Sequence, residues 1–408
     1  MKETFTALIP EYFEDFRCIG QDCEDSCCYS WKIIVDRPTY DLYKNLKDGD
    51  FSEKMEQHIV NQENGFDGSY ATIKLNEDNG GCPFLENSGL CSIHRQLGDQ
   101  YLSKTCATYP RTLNIVNRNL EISTTLSCPE AARLALLNKE GIRFIYHETE
   151  IADNNYVDNF DARGKKLEHI GYFSKLRSFA IELIQTRKYP FEQRFWILGL
   201  FLQKVQEYLD QNRADHILSL IQTYSNYLQQ GVFDSLFAQI PVHHDVQIKM
   251  FLAMHEKRLA SRTGQRYKEC LDEMLEGIGY KEDSDIESLK QKYGEAYTRF
   301  YEPFMQEHEY ILENYTVNYM FKNTFPYSPG RSVFEDYIIL VVNISLIKMH
   351  LAGMAGYHRG LTLDICVKLI QSLAKTVEHS RDYIETNRNY LKENRLDSMA
   401  TMSILIKG

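Results

Sequence analysis

The sequence predicts a mainly α protein: a small, irregular, cysteine-rich α+β metal-binding region at the N-terminus, followed by a bundle-like helical domain. Three observations carry this reading. Eight of the ten cysteines precede residue 130, at Cys18, Cys23, Cys27, Cys28, Cys82, Cys91, Cys106 and Cys128. From about residue 165 onward, apolar residues recur at helical spacing. Proline is absent between Pro129 and Pro190 and again after Pro329, which leaves room for long helices. A chain of 408 residues is too long for one ordinary core. The expected division is a metal-binding domain over residues 1–140 and a helical domain over residues 141–408.

In chain order, the β-branched run Trp31-Lys32-Ile33-Ile34-Val35 predicts a short strand, and Tyr70 to Leu75 alternates as a second. Leu120 to Thr125 is a third. The stretches Asn61 to Ser69 and Asn76 to Gly81 read as turns. At Cys128-Pro129-Glu130 a helix begins, with Pro129 suited to its first position and Glu130 to its first turn. One apolar stripe runs from Phe195 to Val205 and another from Ile217 to Leu228. The run Tyr337 to Ile347 is too short to span a membrane and contains Asn343, so it reads as a buried helix. Phe325 to Gly330, with two prolines, is the clearest break in the C-terminal half.

The formal net charge is −11, which argues against nucleic-acid binding through phosphate contacts. The acidic N-terminus has no apolar core of a signal peptide. A cytoplasmic protein without a membrane partner is therefore expected, in a compartment that keeps thiols reduced. The widely spaced Cys270 and Cys366 read as buried small hydrophobes. The first eight cysteines require another explanation.

Their spacing supplies one. Cys18-x4-Cys23-x3-Cys27-Cys28 is followed by Cys82-Pro83, then Cys91-Ser92-Ile93-His94, Cys106 and Cys128-Pro129. Thiolates on closely spaced turns converge on soft metals, so zinc and an iron–sulfur cluster both fit. Eight thiols exceed the four ligands of one centre, leaving some structural or a second centre present. Cys128, at the start of a helix, is expected to ionise readily, as a ligand or a nearby low-pKa thiol; the plainer reading is a buried cysteine. His94 is a weaker ligand candidate, and the His243-His244 pair points to no favoured site.

Several common motifs are missing. There is no Gly-x-Gly-x-x-Gly after a strand, no phosphate loop, no Gly-x-Ser-x-Gly and no His-Glu-x-x-His. Any chemistry must come from the cysteine region or from a site without a motif.

The segments Cys18 to Cys28, Cys82-Pro83-Phe84-Leu85 with Cys91-Ser92-Ile93-His94, Leu102 to Arg111 and Leu126 to Arg133 resemble the flagellin lysine-N-methylase family. Glu378-His379 and the aromatic-rich helices are similar in a less specific way. The cysteine arrangement is also shared by proteins described as zinc- or iron-chelating. The resemblance implies methyl transfer from S-adenosylmethionine to surface lysines of flagellin, with a [4Fe–4S] cluster bound by the cysteine region. Beside Cys106, Tyr109 is a candidate aromatic contact or proton acceptor, and Arg111 a candidate clamp for the donor's carboxylate. The plainer reading of both is local packing and a surface ion pair. The alternative to an enzyme is a zinc- or cluster-stapled scaffold whose helices bind a partner.

Overall fold

A computed structural model describes residues 3–29, 31–46, 49–151, 157–160, 171–259, 264–328, 330–377 and 381–408. Glu378 and His379 lie outside the described residues. The chain forms two compact units, Met1–Ala131 with Phe144–Asn159, and Ala132–Arg143 with Phe160–Gly408. The expected division at 140/141 falls within a crossing segment: residues 132–143 go with the second unit, and the chain then returns to the first.

The first unit is built on the strands β1 (Glu3–Pro10), β2 (Ile33–Val35), β3 (Ile59–Phe66), β4 (Ser69–Ile73), β5 (Arg111–Val116), β6 (Asn119–Thr124), β7 (Phe144–Ile151) and β8 (Val157–Phe160). They form one sheet in the order β7-β1-β6-β5-β8 and a smaller one in the order β2-β4-β3. β1 runs parallel to β6, with Ala7 opposite Leu120, and antiparallel to β7, with Leu8 opposite Tyr146. Ala7, Ile9, Leu113, Leu120 and Ile122 bury one face of the larger sheet. A separate core of Ile33, Val35, Tyr43, Phe51, Met55, Ala71, Ile73, Phe84 and Ile93 lies against the smaller sheet.

The mainly α class holds, and the three expected strands are present as β2, β4 and β6. Asn61 to Ser69 is different from its expected turn: most of it is β3, and only Asp67 and Gly68 turn the chain into β4. β3 is an edge strand with a register shift between Asn61 and Phe66, and its side chains are largely exposed. Polar, irregular edges of this kind protect a sheet from further pairing and look like loops in sequence.

In the second unit, the Val333–His358 helix is the central element. Ser332 and Glu335 form a reciprocal capping box at its start, satisfying two amides the helix cannot pair internally. At 26 residues it outruns the apolar stretch Tyr337 to Ile347 and is long and apolar enough to cross a membrane. Its most apolar window is nevertheless 94% buried inside the protein, as a core helix would be. The Phe191–Asp210 helix crosses it, and Tyr337 donates a 3.1 Å hydrogen bond to the Phe195 carbonyl. Cys270 and Cys366 are fully buried in this unit, as expected of small hydrophobes.

Candidate metal centre

All eight N-terminal cysteines are free thiols and belong to the first unit. Local hydrogen bonds place them. The Cys82 amide donates to the Cys28 carbonyl at 2.7 Å, and Tyr29 bridges to Gly81. Leu85 bridges to Cys91, which stands just before the short Ser92–Leu97 helix. Ser103 accepts a hydrogen bond from the Cys106 amide at 3.3 Å and thereby caps the Lys104–Thr108 helix. Asp36, almost wholly buried, caps the Arg37–Lys44 helix through Thr39 and also accepts from the Lys104 amide at 3.1 Å. One carboxylate thus ties together the starts of two helices.

Cys28, Cys82, Cys91 and Cys106 pack against the same small core. Burial pushes Cys82 up to about 12, against an amide hydrogen bond from Phe84, and the neighbouring Cys28 and Cys91 push it further. Burial likewise holds Cys106 at about 12, with Ser103 opposing and Cys91, Cys28 and Cys82 reinforcing. Cys91 is raised by burial and by Cys28, while the amides of Ile93 and His94 pull it down. Tyr43, whose hydroxyl donates to the Tyr101 carbonyl at 2.7 Å, is raised by burial first and then by Cys106 and Cys91.

Of the remaining thiols, Cys18, Cys23 and Cys128 stand near one another, while Cys27 stands first against Cys28. Cys128 is held at about 11, chiefly by burial, against the amides of Ala131 and Glu130, and is raised further by Cys23 and Cys18. Cys23 is raised by desolvation, with its own Asp25 carbonyl contact at 3.4 Å and Cys18 nearby. Cys27 is raised first by its hydrogen bond with Cys28, then by desolvation, and senses Cys106 and Cys18. Cys18 and Cys27 are exposed, whereas Cys128 is buried.

Tyr109 and Arg111 stand beside these thiols. The Tyr109 hydroxyl lies 3.2 Å from Ser127 Oγ, and its ring packs at 5.2 Å on Trp31, whose indole donates to the Cys27 carbonyl. Burial, with Cys128 and Cys27 nearby, keeps Tyr109 protonated well above its usual range. It is therefore a poor proton acceptor in this state, and its expected role narrows to packing and hydrogen bonding. The Arg111 guanidinium sits 5.6 Å over the Phe16 ring. Desolvation lowers its pKa while Cys18 and Cys128 raise it, and a guanidinium stays charged under either influence.

Cys128 needs a correction. Its place before the Pro129–Leu136 helix and the two amides aimed at it are as expected, yet burial outweighs them and the thiol is not acidic by itself. A cation would reverse that balance. His94 is exposed, and His244 packs edge-on at 5.0 Å against Tyr293 in the helical unit and bonds to Gln247. Among the described residues, no three His, Cys, Asp or Glu side chains form a ready-made metal site.

The thiols nevertheless suit a soft metal. Backbone amides point at Cys82, Cys91 and Cys128, the type of hydrogen bond that accompanies ligating sulfur. Asp36, Ser103 and Tyr43 were not singled out from the sequence. Ser103-Lys104-Thr105-Cys106 carries a cap signal for Ser103, but nothing local marks Asp36 or Tyr43, whose roles depend on the fold.

Fold and site together define a cysteine-rich α+β unit attached to a long helical one. The chain belongs to the FliB lysine N-methylase family, whose C-terminal-domain model matches residues 177–405. It is similar to a lysine-N-methylase of Salmonella choleraesuis (strain SC-B67) at 24% identity over 419 residues, covering 100% of both chains. A lysine-N-methylase of Salmonella typhimurium (strain LT2) matches at the same identity and coverage. The flagellar biosynthetic protein FliU of Salmonella muenchen is 33% identical over 130 residues, or 32% of this chain and 76% of that one. No solved structure matches.

Proposed function

We propose that this chain is a protein-lysine N-methyltransferase that moves methyl groups from S-adenosylmethionine to lysine ε-amines of flagellin. The observation that carries the reading is family membership across the helical unit, joined to full-length similarity to two lysine-N-methylases. The flagellar name of a third relative supports flagellin as the protein partner. The sequence carries no motif of a phosphate or dinucleotide loop, so donor binding falls to residues outside those motifs.

In the reaction, the sulfonium–methyl bond of the donor breaks as a new nitrogen–carbon bond forms. The lysine must attack as a neutral amine, so the ammonium proton leaves before transfer, and the electron pair of the broken bond stays on sulfur, which departs as a neutral thioether. Cysteines of the first unit would hold a [4Fe–4S] cluster, which supplies a binding surface for the methionine part of the donor. Arg111 offers a fixed positive charge for the donor carboxylate, and Tyr109 a polar edge beside it.

The test is label transfer. Full-length protein, purified without oxygen, is incubated with methyl-labelled S-adenosylmethionine and purified flagellin. Lysine-bound methyl groups located by mass spectrometry support the reading. Absence of label in flagellin, with bound donor detected by calorimetry, overturns the assigned substrate; absence of donor binding overturns the enzyme.

A further inference from the structure

We propose that the outer edge of β7 is a docking site for an extended, lysine-bearing segment of the protein substrate, which adds to the larger sheet as a further strand. The proposal rests on the chain acting on lysines of a protein, not on flagellin being that protein.

β7 stands at one side of the five-stranded sheet, and among the described residues no strand pairs with its outer edge. Its pairing with β1 is regular. Eight consecutive residues, from Phe144 opposite Pro10 to Ile151 opposite Glu3, keep one register without a shift. Between Phe144 and Ile151 there is no proline, glycine or lysine. Proteins ordinarily blunt such an edge with a bulge, a proline, a lysine or a covering segment, because its row of unpaired amides and carbonyls invites another strand. β3, at the edge of the smaller sheet, is blunted by its register shift. β7 carries neither bulge, proline nor lysine, and it is long enough to take a strand of ordinary length.

Charge decides which strand fits. Successive side chains alternate between the faces of a strand, so Tyr146, Glu148 and Glu150 share one face. All three are exposed, Tyr146 by 76%. Opposite them on β1 stand Leu8, Thr6 and Thr4, none of them charged. The other face carries Ile145, packed against the core of Ala7 and Ile9, and His147, which lies 3.0 Å from Glu14. His147 is the one basic residue of β7, so the exposed face presents two carboxylates and an aromatic ring with no cation from β7 or its β1 partners. Side chains directly opposite across an antiparallel pair attract when their charges differ and repel when they match. Lysines at alternate positions of an added strand would meet Glu148 and Glu150, with an aliphatic stem along the Tyr146 ring. A second copy of β7 is disfavoured, because antiparallel pairing centred on Glu148 or on Thr149 sets glutamate against glutamate. Acidic segments are rejected in the same way. Main-chain hydrogen bonds thus supply the affinity and the two glutamates the selection.

The probe is a peptide of alternating threonine and lysine, about as long as β7, with a threonine–glutamate peptide as its counterpart. Each is added to full-length protein purified without oxygen. Fluorescence anisotropy of labelled peptide reads binding, and backbone hydrogen exchange of the protein, followed by mass spectrometry, locates it. The lysine peptide should bind and slow exchange across residues 144–151, and the glutamate peptide should not bind. Glu148→Lys/Glu150→Lys should weaken binding of the lysine peptide about tenfold or more, and Glu148→Gln/Glu150→Gln by less. Both positions are exposed, so the far-ultraviolet circular dichroism of either variant should match the wild type. In methylation of flagellin, Glu148→Lys/Glu150→Lys should raise KM while kcat stays within about twofold, since β7 positions the substrate and takes no part in bond making. No binding of the lysine peptide, equal binding of both peptides, protection away from β7, or undiminished binding to Glu148→Lys/Glu150→Lys each overturns the docking site. If wild-type protein transfers no methyl group to flagellin, the substrate assignment falls, and the peptide measurements still decide the edge.

Discussion

In the second unit, the Val333–His358 helix is buried almost without interruption from Tyr337 to Ala355, and neighbouring helices cover it with aromatic and aliphatic side chains. The first unit has nothing comparable. Among the described residues, its buried apolar side chains include a cluster of five under one sheet and a cluster of ten against the other, and one of those ten is a cysteine. Where apolar area is plentiful, the hydrophobic effect alone sustains a fold and even tolerates buried charge. Where it is scarce, cross-links substitute for it. Eight of the ten thiols lie in the unit with the smaller clusters.

Metal removal is the strongest way to break this comparison. If the first unit's thiols hold a metal, as the proposed function requires, removing it takes away apparent folding free energy on the order of 10 kcal/mol and should abolish that unit's cooperative unfolding. The helical unit should keep most of its circular dichroism at 222 nm (a wavelength chosen for helix content). Differential scanning calorimetry before and after treatment with a chelator and a thiol reagent reads both at once. One transition that shifts as a whole would show that the units do not differ in this way.

The next effect belongs to the second unit. Arg194 and Glu313 are buried and paired at 2.6 Å, and Arg187 adds a second contact to Glu313 at 2.8 Å. Arg194→Met leaves a carboxylate in the core with one partner removed and should cost about 3–5 kcal/mol in denaturant titration. Arg194→Met/Glu313→Leu should recover a large part of that loss, because well-packed apolar groups replace a buried pair at little cost. If the double variant is as unstable as the single one, the apolar surroundings are not what sustains this region.

Close helix packing makes a smaller prediction. A Cβ on Gly277 would lie 1.8 Å from the Gly353 carbonyl oxygen, and one on Gly353 would lie 2.5 Å from Met274 Cγ. Backbone cannot move aside as a side-chain tip does, so Gly277→Ala should destabilise by about 1–3 kcal/mol. Gly49, in the first unit, has open space around the corresponding position, and Gly49→Ala should change stability by less than about 1 kcal/mol. Thermal melts of the two variants compare a tight interior with a loose surface.

The same contrast governs what could be read in advance. Cysteine spacing sets the first unit apart in the sequence, and helical periodicity exposes the second. β1 and β7 escaped notice because their pairing is non-local: Ala7 meets Leu120 and His147 only in the folded sheet. Asn61 to Phe66 was obscured by its polar edge composition. The packing of Cys28, Cys82, Cys91 and Cys106 on one core depends on the Cys28–Cys82 and Leu85–Cys91 contacts, which no linear spacing encodes. Arg194 and Glu313 have the composition of a surface pair, and only burial distinguishes them.

The smallest effect separates the units by pH. Desolvation raises Glu335, but Lys392, the Ser332 amide and Arg388 outweigh it and hold the carboxyl at about 2, below its ordinary 4.5. A carboxyl depressed in the folded state contributes stability that is fully present above pH 4.5 and is lost as pH falls toward about 2. The group is partly exposed, so its contribution is about 1 kcal/mol or less. Glu335→Gln preserves a capping side chain while removing the charge. Its melting temperature should lie below that of the wild type at pH 7, and the gap should close between pH 4.5 and 2. If the first unit's thiols hold a metal, as the proposed function requires, those thiolates compete with protons as well, and their loss is large and abrupt by comparison. A gap that persists unchanged at pH 2 would mean that Glu335 acts through shape alone, leaving the acid sensitivity of the helical unit to other carboxylates.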